Sequence, residues 1–282
     1  MSTTSPSPVS PADGGGLPYR LVATDLDGTL LNSAESVSER TRAALASATR
    51  AGALHIIVTG RSAPWARPVF DQIGYRGIAV CGQGAQVYDA GAHRLLTSLT
   101  LDRRLAALAI AKIEAETGPL AVAASQDGLE GAVLAGPGYE LQIGSHLPVV
   151  RAAKDELLAA PVSKLYIQHH GLTDDALAEA ARRTAGDLVG VVMAGAGIVE
   201  LLPLGLSKAT GLAVAARRLG VTAADTIAFG DMPNDVPMFG WARHGVAMAN
   251  AHEELLAVAD EVTVGHDEDG VAVVLERLYP LG

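Results

Sequence analysis

Short apolar runs alternate with longer amphipathic stretches along the first third of the chain. Continuous apolar runs predict buried strands, and apolar positions three or four residues apart predict helices that pack on them. The predicted strands are residues 20–26, 54–60 and 77–82. A helix over 36–51, capped by Ser36 and closed by Gly52, is predicted between the first two strands, and another after Pro64. This order predicts a parallel sheet covered by helices on both faces.

The pattern changes between residues 85 and 202. Short strands around Gly91 resemble a hairpin, and the segments that follow mix helices with strands. The predicted helices are 102–116 and 174–185, and the predicted strands are 119–124, 163–169, 187–193 and 197–202. This stretch is therefore predicted to be a separate α+β unit.

After Pro203 the first pattern returns. The predicted elements are helix 207–219, strand 226–230, a short helix from 233, strand 244–249, helix 251–258 and strand 261–264. The simplest organisation is an α/β core of residues 18–84 and 203–282, interrupted by a cap domain of residues 85–202. Residues 1–17 have neither a basic start nor an apolar segment, and we expect them to form a disordered tail.

Composition narrows the classes of partner. The formal net charge is −10 and aromatic residues make up 4% of the chain, which disfavours nucleic acid and anionic membranes. Cys81 is the single cysteine, so an internal disulfide and a cysteine-based zinc site are excluded. We expect a cytoplasmic protein, because a chain without disulfides suits a reducing compartment.

Acidic side chains follow two of the predicted strands. Asp25 and Asp27 come after the first strand, and the segment GDMPND supplies Asp231, Asn234 and Asp235 after strand 226–230. Taken alone, the first pair is equally consistent with an Asp-Gly turn that ends a strand. Because the carboxyl ends of parallel strands lie along one sheet edge, we expect both clusters to meet there.

Carboxylates brought together in this way repel each other. Two of them about 4 Å apart repel by roughly 4 kcal/mol at an effective dielectric constant of about 20, so a cation or protonation is required. Oxygen ligands favour Mg²⁺, which in proteins commonly has a phosphate as another partner. Thr59 and the Gly60 amide in VTGR, and Lys208 in the first turn of its helix, could hold that phosphate.

This arrangement suggests a reaction if the four segments converge. Asp25 would attack phosphorus and form an aspartyl-phosphate, and Asp27 would act as general acid and then as general base. Thr59, Lys208 and the metal would neutralise charge on the phosphoryl group.

The four motifs together resemble the haloacid dehalogenase superfamily of phosphatases. DLDGTL at 25–30, VTGR, SKATGL and GDMPND stand in the order found there, and residues 85–202 resemble the cap of its Cof-like branch. The resemblance implies a Rossmann-like core. It implies Mg²⁺ bound by Asp25, the main-chain carbonyl of Asp27 and Asp231, and phosphate held by Thr59, Lys208 and the Leu26 amide. Asn234 and Asp235 would then orient the lysine and the waters of the metal, or Asp235 would be a further ligand.

The sequence does not decide the roles of two further residues near these motifs. Gln83 stands where this branch often has asparagine, and Arg61 could reach a substrate phosphate or serve the structure alone.

The predicted function is therefore a Mg²⁺-dependent phosphatase acting on a small phosphorylated metabolite, such as a sugar phosphate or a phosphorylated cofactor. A phosphomutase of similar architecture and a non-catalytic module that binds phosphometabolites are the alternatives. Trapped sugar bisphosphate would indicate the mutase, whereas released inorganic phosphate would indicate the phosphatase.

Overall fold

The computed structural model describes residues 17–140, 149–195 and 197–280. The predicted tail lies outside the described residues except for Leu17. That residue packs against the apolar cluster around Tyr19 and Val22, so it belongs to the folded protein and not to a tail.

Fourteen strands and eight helices form the described structure. The strands are β1 (Leu21–Thr24), β2 (Leu54–Val58), β3 (Ile78–Cys81), β4 (Gln86–Asp89), β5 (Arg94–Ser98), β6 (Ala121–Gln126), β7 (Val133–Ala135), β8 (Val149–Arg151), β9 (Val162–Gln168), β10 (Gly190–Gly195), β11 (Ile198–Leu202), β12 (Thr226–Gly230), β13 (His244–Ala247) and β14 (Glu261–Val262). The helices are α1 (Glu39–Ala51), α2 (Ala63–Ile73), α3 (Arg103–Thr117), α4 (Asp174–Ala185), α5 (Lys208–Arg218), α6 (Val236–Trp241), α7 (Glu253–Leu256) and α8 (Gly270–Leu278).

The first sheet has eight strands in the order β14-β13-β12-β1-β2-β3-β4-β5. Its first six strands are parallel, and β1 lies between β12 and β2. The ends of β1, β2 and β12 are therefore adjacent at the carboxyl edge, where parallel α/β sheets bind ligands. This architecture confirms the predicted α/β fold with a Rossmann-like parallel sheet.

The second sheet has six strands in the order β10-β11-β9-β6-β7-β8, and only its β7–β8 pair is parallel. One face packs on α3 and α4 through a cluster that includes Ile113, Leu165 and Leu177. The strands of this sheet all lie between β5 and α5 in the chain, as expected of an inserted unit.

The hairpin formed by β4 and β5 corrects one predicted boundary. We placed it in the cap, but β4 pairs antiparallel with β3 and β5 with β4, so both belong to the first sheet. The tight turn at Gly82–Gly84, with Gln83 at φ 60°, doubles the chain back onto the edge of the parallel sheet. The division into a core and a cap otherwise stays a prediction.

Local capping sets the start of α1. Ser38 is the N-cap, and its side chain accepts a hydrogen bond from Thr41 N at 3.0 Å, whereas we predicted Ser36. Ser36 instead donates its hydroxyl to Asn32 Oδ1 at 3.0 Å. Gly52 closes the helix at φ 104°, as predicted.

Three elements were not predicted. These are the short strands β7 and β8 and the C-terminal helix α8, whose apolar face packs beside α1. Among the described residues, no helix combines the length and the apolar character that a membrane span needs.

Candidate active site

Asp25 follows β1 directly and is buried, with 5% of its surface exposed. Its amide donates to Phe229 O at 2.9 Å, which ties the end of β1 to β12. The chain then turns at Gly28, whose φ is 71°. A Cβ atom there would lie 2.3 Å from Asp231 Oδ2, so the turn requires glycine in order to admit that carboxylate.

The loop after β12 brings Asp231 and Asp235 to the same point. Asp235 Oδ2 accepts hydrogen bonds from the amides of Asp231 at 3.0 Å and Met232 at 3.1 Å. Thr29 lies in the loop after β1, and its Oγ1 hydroxyl donates a hydrogen bond to Asp231 Oδ1 at 2.9 Å. The two acidic loops therefore meet, as the sequence predicted.

Lys208 begins α5 and lies between carboxylates from both loops. Its Nζ is 2.8 Å from Asp25 Oδ1 and 2.7 Å from Asp235 Oδ1, and only 1% of the residue is exposed. Burial works to lower the pKa of Lys208, but the charges of Asp235 and Asp25 outweigh burial and raise it. The lysine is therefore held in its charged form.

One ammonium group does not balance three buried carboxylates. Asp25, Asp231 and Asp235 each offer an oxygen, and these atoms lie within 4.8 Å of one another. Burial raises the pKa of Asp25 well above its usual range, with Lys208 opposing. Burial and the charge of Asp235 raise the pKa of Asp231 to about 7. The excess negative charge and the purely oxygen donor set fit a divalent hard cation such as Mg²⁺.

Asp27 lies apart from this cluster. Its carboxylate pairs with the Arg61 guanidinium, at 2.9 Å to Nε and 2.5 Å to Nη2, and 49% of its side chain is exposed. Arg61 in turn stacks over the Trp65 ring at 4.8 Å. Asp27 is therefore a solvent-exposed carboxylate, two residues along the chain from the buried Asp25.

The end of β2 lies beside the loop after β1, because the two strands are parallel neighbours in the first sheet. Thr59 is fully buried, and its hydroxyl accepts from the Arg61 amide at 3.0 Å. Gly60 O accepts from Lys164 Nζ at 2.7 Å. Leu26 lies between the two aspartates that follow β1, and its side chain is buried in the core. Asn234 is 6% exposed and donates Nδ2 to Gln83 Oε1 at 3.1 Å.

Sequence reasoning missed two charged residues of the second sheet. Lys164 on β9 and Glu200 on β11 form an ion pair that is fully buried, and Glu200 Oε2 accepts from Gln83 Nε2 at 2.8 Å. The signal was present in the sequence. A lysine inside VSKLYIQ and a glutamate inside IVELL are charges placed among strand residues that are otherwise apolar or uncharged.

Comparisons with known proteins show the family of the chain. The sequence model of the haloacid dehalogenase-like hydrolases matches residues 22–275. The chain is 30% identical to HMP-PP phosphatase from Serratia proteamaculans, over 92% of this chain and 95% of that protein. Its fold matches the solved structure of a haloacid dehalogenase-like hydrolase from B. subtilis with a TM-score of 0.79, at 25% identity over 92% of this chain and 99% of that one.

The chain belongs to the haloacid dehalogenase-like hydrolase family. This confirms the family predicted from the four motifs, and the phosphatase named among the relatives supports the predicted enzyme class, a phosphomonoester hydrolase. A further relative, a chloroplastic endoribonuclease from Arabidopsis thaliana, is 30% identical over 92% of this chain. The chain spans 46% of the length of that protein.

Proposed function

We propose that this hydrolase releases inorganic phosphate from a small phosphorylated metabolite, with Mg²⁺ as cofactor and a covalent phosphoryl group on Asp25. The observation that carries the proposal is the placement of Lys208 Nζ, 2.8 Å from Asp25 and 2.7 Å from Asp235. Carboxylate oxygens of Asp25, Asp231 and Asp235 lie within 4.8 Å of one another beside it. A buried cluster with this surplus of negative charge is suited to a metal ion and a bound phosphoryl group.

The first step is attack by a carboxylate oxygen of Asp25 on phosphorus. The bond between phosphorus and the ester oxygen breaks, and the leaving oxygen takes a proton from Asp27. For this step Asp27 must be protonated and released from the ion pair that it forms with Arg61 in the structure, and its half-exposed side chain leaves it free to take up that proton from solvent and to turn toward the ester oxygen.

The second step returns the enzyme to its starting state. Asp27, now ionised, accepts a proton from water as the water oxygen attacks phosphorus. The bond between phosphorus and Asp25 breaks, and inorganic phosphate leaves. Because Asp27 donates a proton in the first step and recovers one in the second, the proton balance closes over the cycle.

The residues around the reacting phosphoryl group divide the work of binding it. Asp25, Asp231 and the main-chain carbonyl of Asp27 would hold Mg²⁺, which when bound supplies positive charge toward the phosphoryl oxygens. Asp235 fixes Lys208 and the Asp231–Met232 backbone, so we assign it a positioning role. The phosphoryl group itself would be held by the Thr59 hydroxyl, Lys208 and the amides of Leu26 and Gly60. Asn234 was predicted as a further substrate contact, but its NH₂ group already donates to Gln83, so only its carbonyl oxygen is free, and that oxygen accepts hydrogen bonds from a hydroxyl group or water and not from a phosphoryl group.

The substrate class is a small metabolite, either a sugar phosphate or a phosphorylated cofactor. The name of the relative from Serratia proteamaculans, an HMP-PP phosphatase, supports a small phosphorylated compound.

A phosphate-release screen tests the proposal. Sugar phosphates, pyridoxal phosphate and flavin mononucleotide are assayed with Mg²⁺ or with EDTA, and bisphosphate products are sought in parallel. We expect Mg²⁺-dependent release from at least one compound by the wild type and by Asp187→Asn, a surface control, and none by Asp25→Asn. Metal-independent release, or full turnover by Asp25→Asn, would contradict it.

A further inference from the structure

A chain of buried hydrogen bonds joins the second sheet to the acidic loop. Lys164 pairs with Glu200 Oε1, and Gln83 Nε2 donates to Glu200 Oε2 at 2.8 Å. Asn234 Nδ2 donates to Gln83 Oε1 at 3.1 Å. None of these four residues is more than 6% exposed. The chain therefore runs from the middle of β9 to the turn that carries Asp235, without passing through solvent.

The sheets also meet at the backbone beside this chain. Lys164 Nζ donates to Gly60 O at 2.7 Å, directly after Thr59. A Cβ atom on Gly60 would lie 2.7 Å from Gln83 Nε2, so glycine is needed for Gln83 to pass close by. Gln83 itself holds a left-handed backbone at φ 60°, which is uncommon for a residue other than glycine. A glutamine that only filled space in the core would need neither this left-handed backbone nor two buried hydrogen-bond partners.

The chemistry of the groups fixes the direction of every hydrogen bond in the chain. A lysine ammonium can only donate, and the ionised Glu200 it holds can only accept. Gln83 must therefore turn its NH₂ toward Glu200 and its carbonyl toward Asn234. Asn234 must then use its NH₂ on Gln83, which leaves Oδ1 as its free end. Asn234 Oδ1 is buried and has no hydrogen-bond partner among the described residues, as this reasoning requires.

We propose that Gln83 is a positioning residue which, through its contact with the Lys164–Glu200 pair, fixes the amide orientation of Asn234, so that the acidic loop carries a free hydrogen-bond acceptor at Oδ1 and not a donor. The cation of the second sheet thereby decides whether Asn234 offers an acceptor or a donor at the acidic loop. This inference rests on the proposed function for its kinetic readout, although the hydrogen-bond coupling itself is independent of any reaction.

A double-mutant cycle between Lys164 and Asn234 tests the proposal. Lys164 contacts Gly60 and Glu200 and forms neither a hydrogen bond nor an ion pair with Asn234. If the two residues act independently, the effects of their substitutions on kcat should multiply. We expect Lys164→Met to lower kcat about tenfold in the wild type, and far less in the Asn234→Ala background. Multiplying effects would overturn the proposal.

Gln83→Asn supplies the second arm if Lys164→Met fails to fold. Its amide is retained but is one methylene shorter, so it cannot bridge Glu200 and Asn234 together. We expect the same coupling with Asn234→Ala, with a fall in kcat that exceeds any change in KM. The matched control is Gln86→Leu, because Gln86 is equally buried but binds the Ala63 amide and Asp127 outside the chain. Its effect should multiply with that of Asn234→Ala, and coupling as large as that of Gln83 would refute the proposal.

A readout without catalysis separates this inference from the proposed function. Hydrogen exchange of the side-chain NH₂ groups of Asn234 and Gln83 is followed by NMR in the metal-free protein. We expect both to be protected in the wild type and in Gln86→Leu, and to exchange at least about tenfold faster in Lys164→Met or Glu200→Gln. Exchange rates in Lys164→Met and Glu200→Gln equal to those of the wild type would contradict the inference even if the protein proves to be an active phosphatase. Altered exchange in a protein without phosphatase activity would refute the function and leave the coupling intact.

Discussion

Two buried lysines, Lys208 and Lys164, lie in clusters with different charge balance. Lys208 contacts two carboxylates with a third close by, and their charge raises its pKa. Lys164 has one carboxylate partner, and burial lowers its pKa although Glu200 opposes this. The first cluster has negative charge to spare for a cation, whereas the second is neutral as it stands. Charge balance therefore distinguishes the proposed reaction centre from the link between the sheets.

Asp25→Asn is the change expected to have the largest effect. The amide cannot form the covalent intermediate, so we expect phosphate release to fall by about 10⁴-fold or more. Removing one of three repelling carboxylates should leave the metal-free protein at least as stable as the wild type. Rapid quenching and peptide mass spectrometry should find phosphate on the peptide that contains Asp25 in the wild type alone. Phosphate on another residue would contradict this assignment.

Asp27→Asn should reduce turnover less, by about 10²- to 10⁴-fold, since only proton transfer is lost. The Arg61 pair is exposed on one side, so little stability should be lost with it. An aryl phosphate, whose leaving group needs little protonation, is the diagnostic substrate. Formation of the covalent intermediate from it should be largely retained, and an equal loss with alkyl and aryl substrates would argue against Asp27 as the acid.

Gly28→Ala tests whether the acidic cluster needs the space beside Gly28, and Gly74→Ala, at a similar φ but outside the cluster, is the matched control. Gly28 and Gly74 have φ values of 71° and 72°, but a Cβ atom at Gly74 has nothing within 4 Å. Both changes should cost about 1–2 kcal/mol of unfolding free energy through backbone strain. Only Gly28→Ala should also displace Asp231, with a loss of turnover of about 10²-fold. Equal kinetics for the two variants would show that the close approach is unimportant.

The pH dependence of stability sharpens the charge comparison. The folded-state pKa of Asp231 is raised from 3.8 to about 7, and that of Asp25 is raised as well. The stability these groups contribute is complete below the unfolded pKa and is lost as the pH rises to about 7 and beyond. Mg²⁺ should therefore raise the melting temperature more at pH 8 than at pH 5, by at least about 2 °C. Asp231→Asn should remove that difference, and the same pH dependence in this variant would assign it elsewhere.

The residues at the carboxyl edge of the parallel sheet were predicted better from the sequence than the pairing of strands that are distant along the chain. Asp25 and Asp231 were predicted because strand ends in a parallel sheet must converge, which is a property of topology, whereas Lys208 was predicted from its place in the first turn of a helix. The Lys164–Glu200 pair was missed because the pairing of β9 with β11 is set by contacts distant in sequence. The hairpin of β4 and β5 was assigned to the wrong unit for a similar reason. Its local pattern shows two strands but does not show that β4 pairs with β3.

Calorimetric titration of Mg²⁺ into the metal-free protein tests the central claim most directly. We predict that the wild type binds about one Mg²⁺ ion per chain at pH 8. Asp231→Asn should abolish this binding or weaken it at least about tenfold. Glu200→Gln should retain it, because the carboxylate that this variant removes belongs to the neutral Lys164–Glu200 pair. The absence of Mg²⁺ binding to the wild type, or equal binding by all three proteins, would contradict a metal site at the acidic edge of the first sheet.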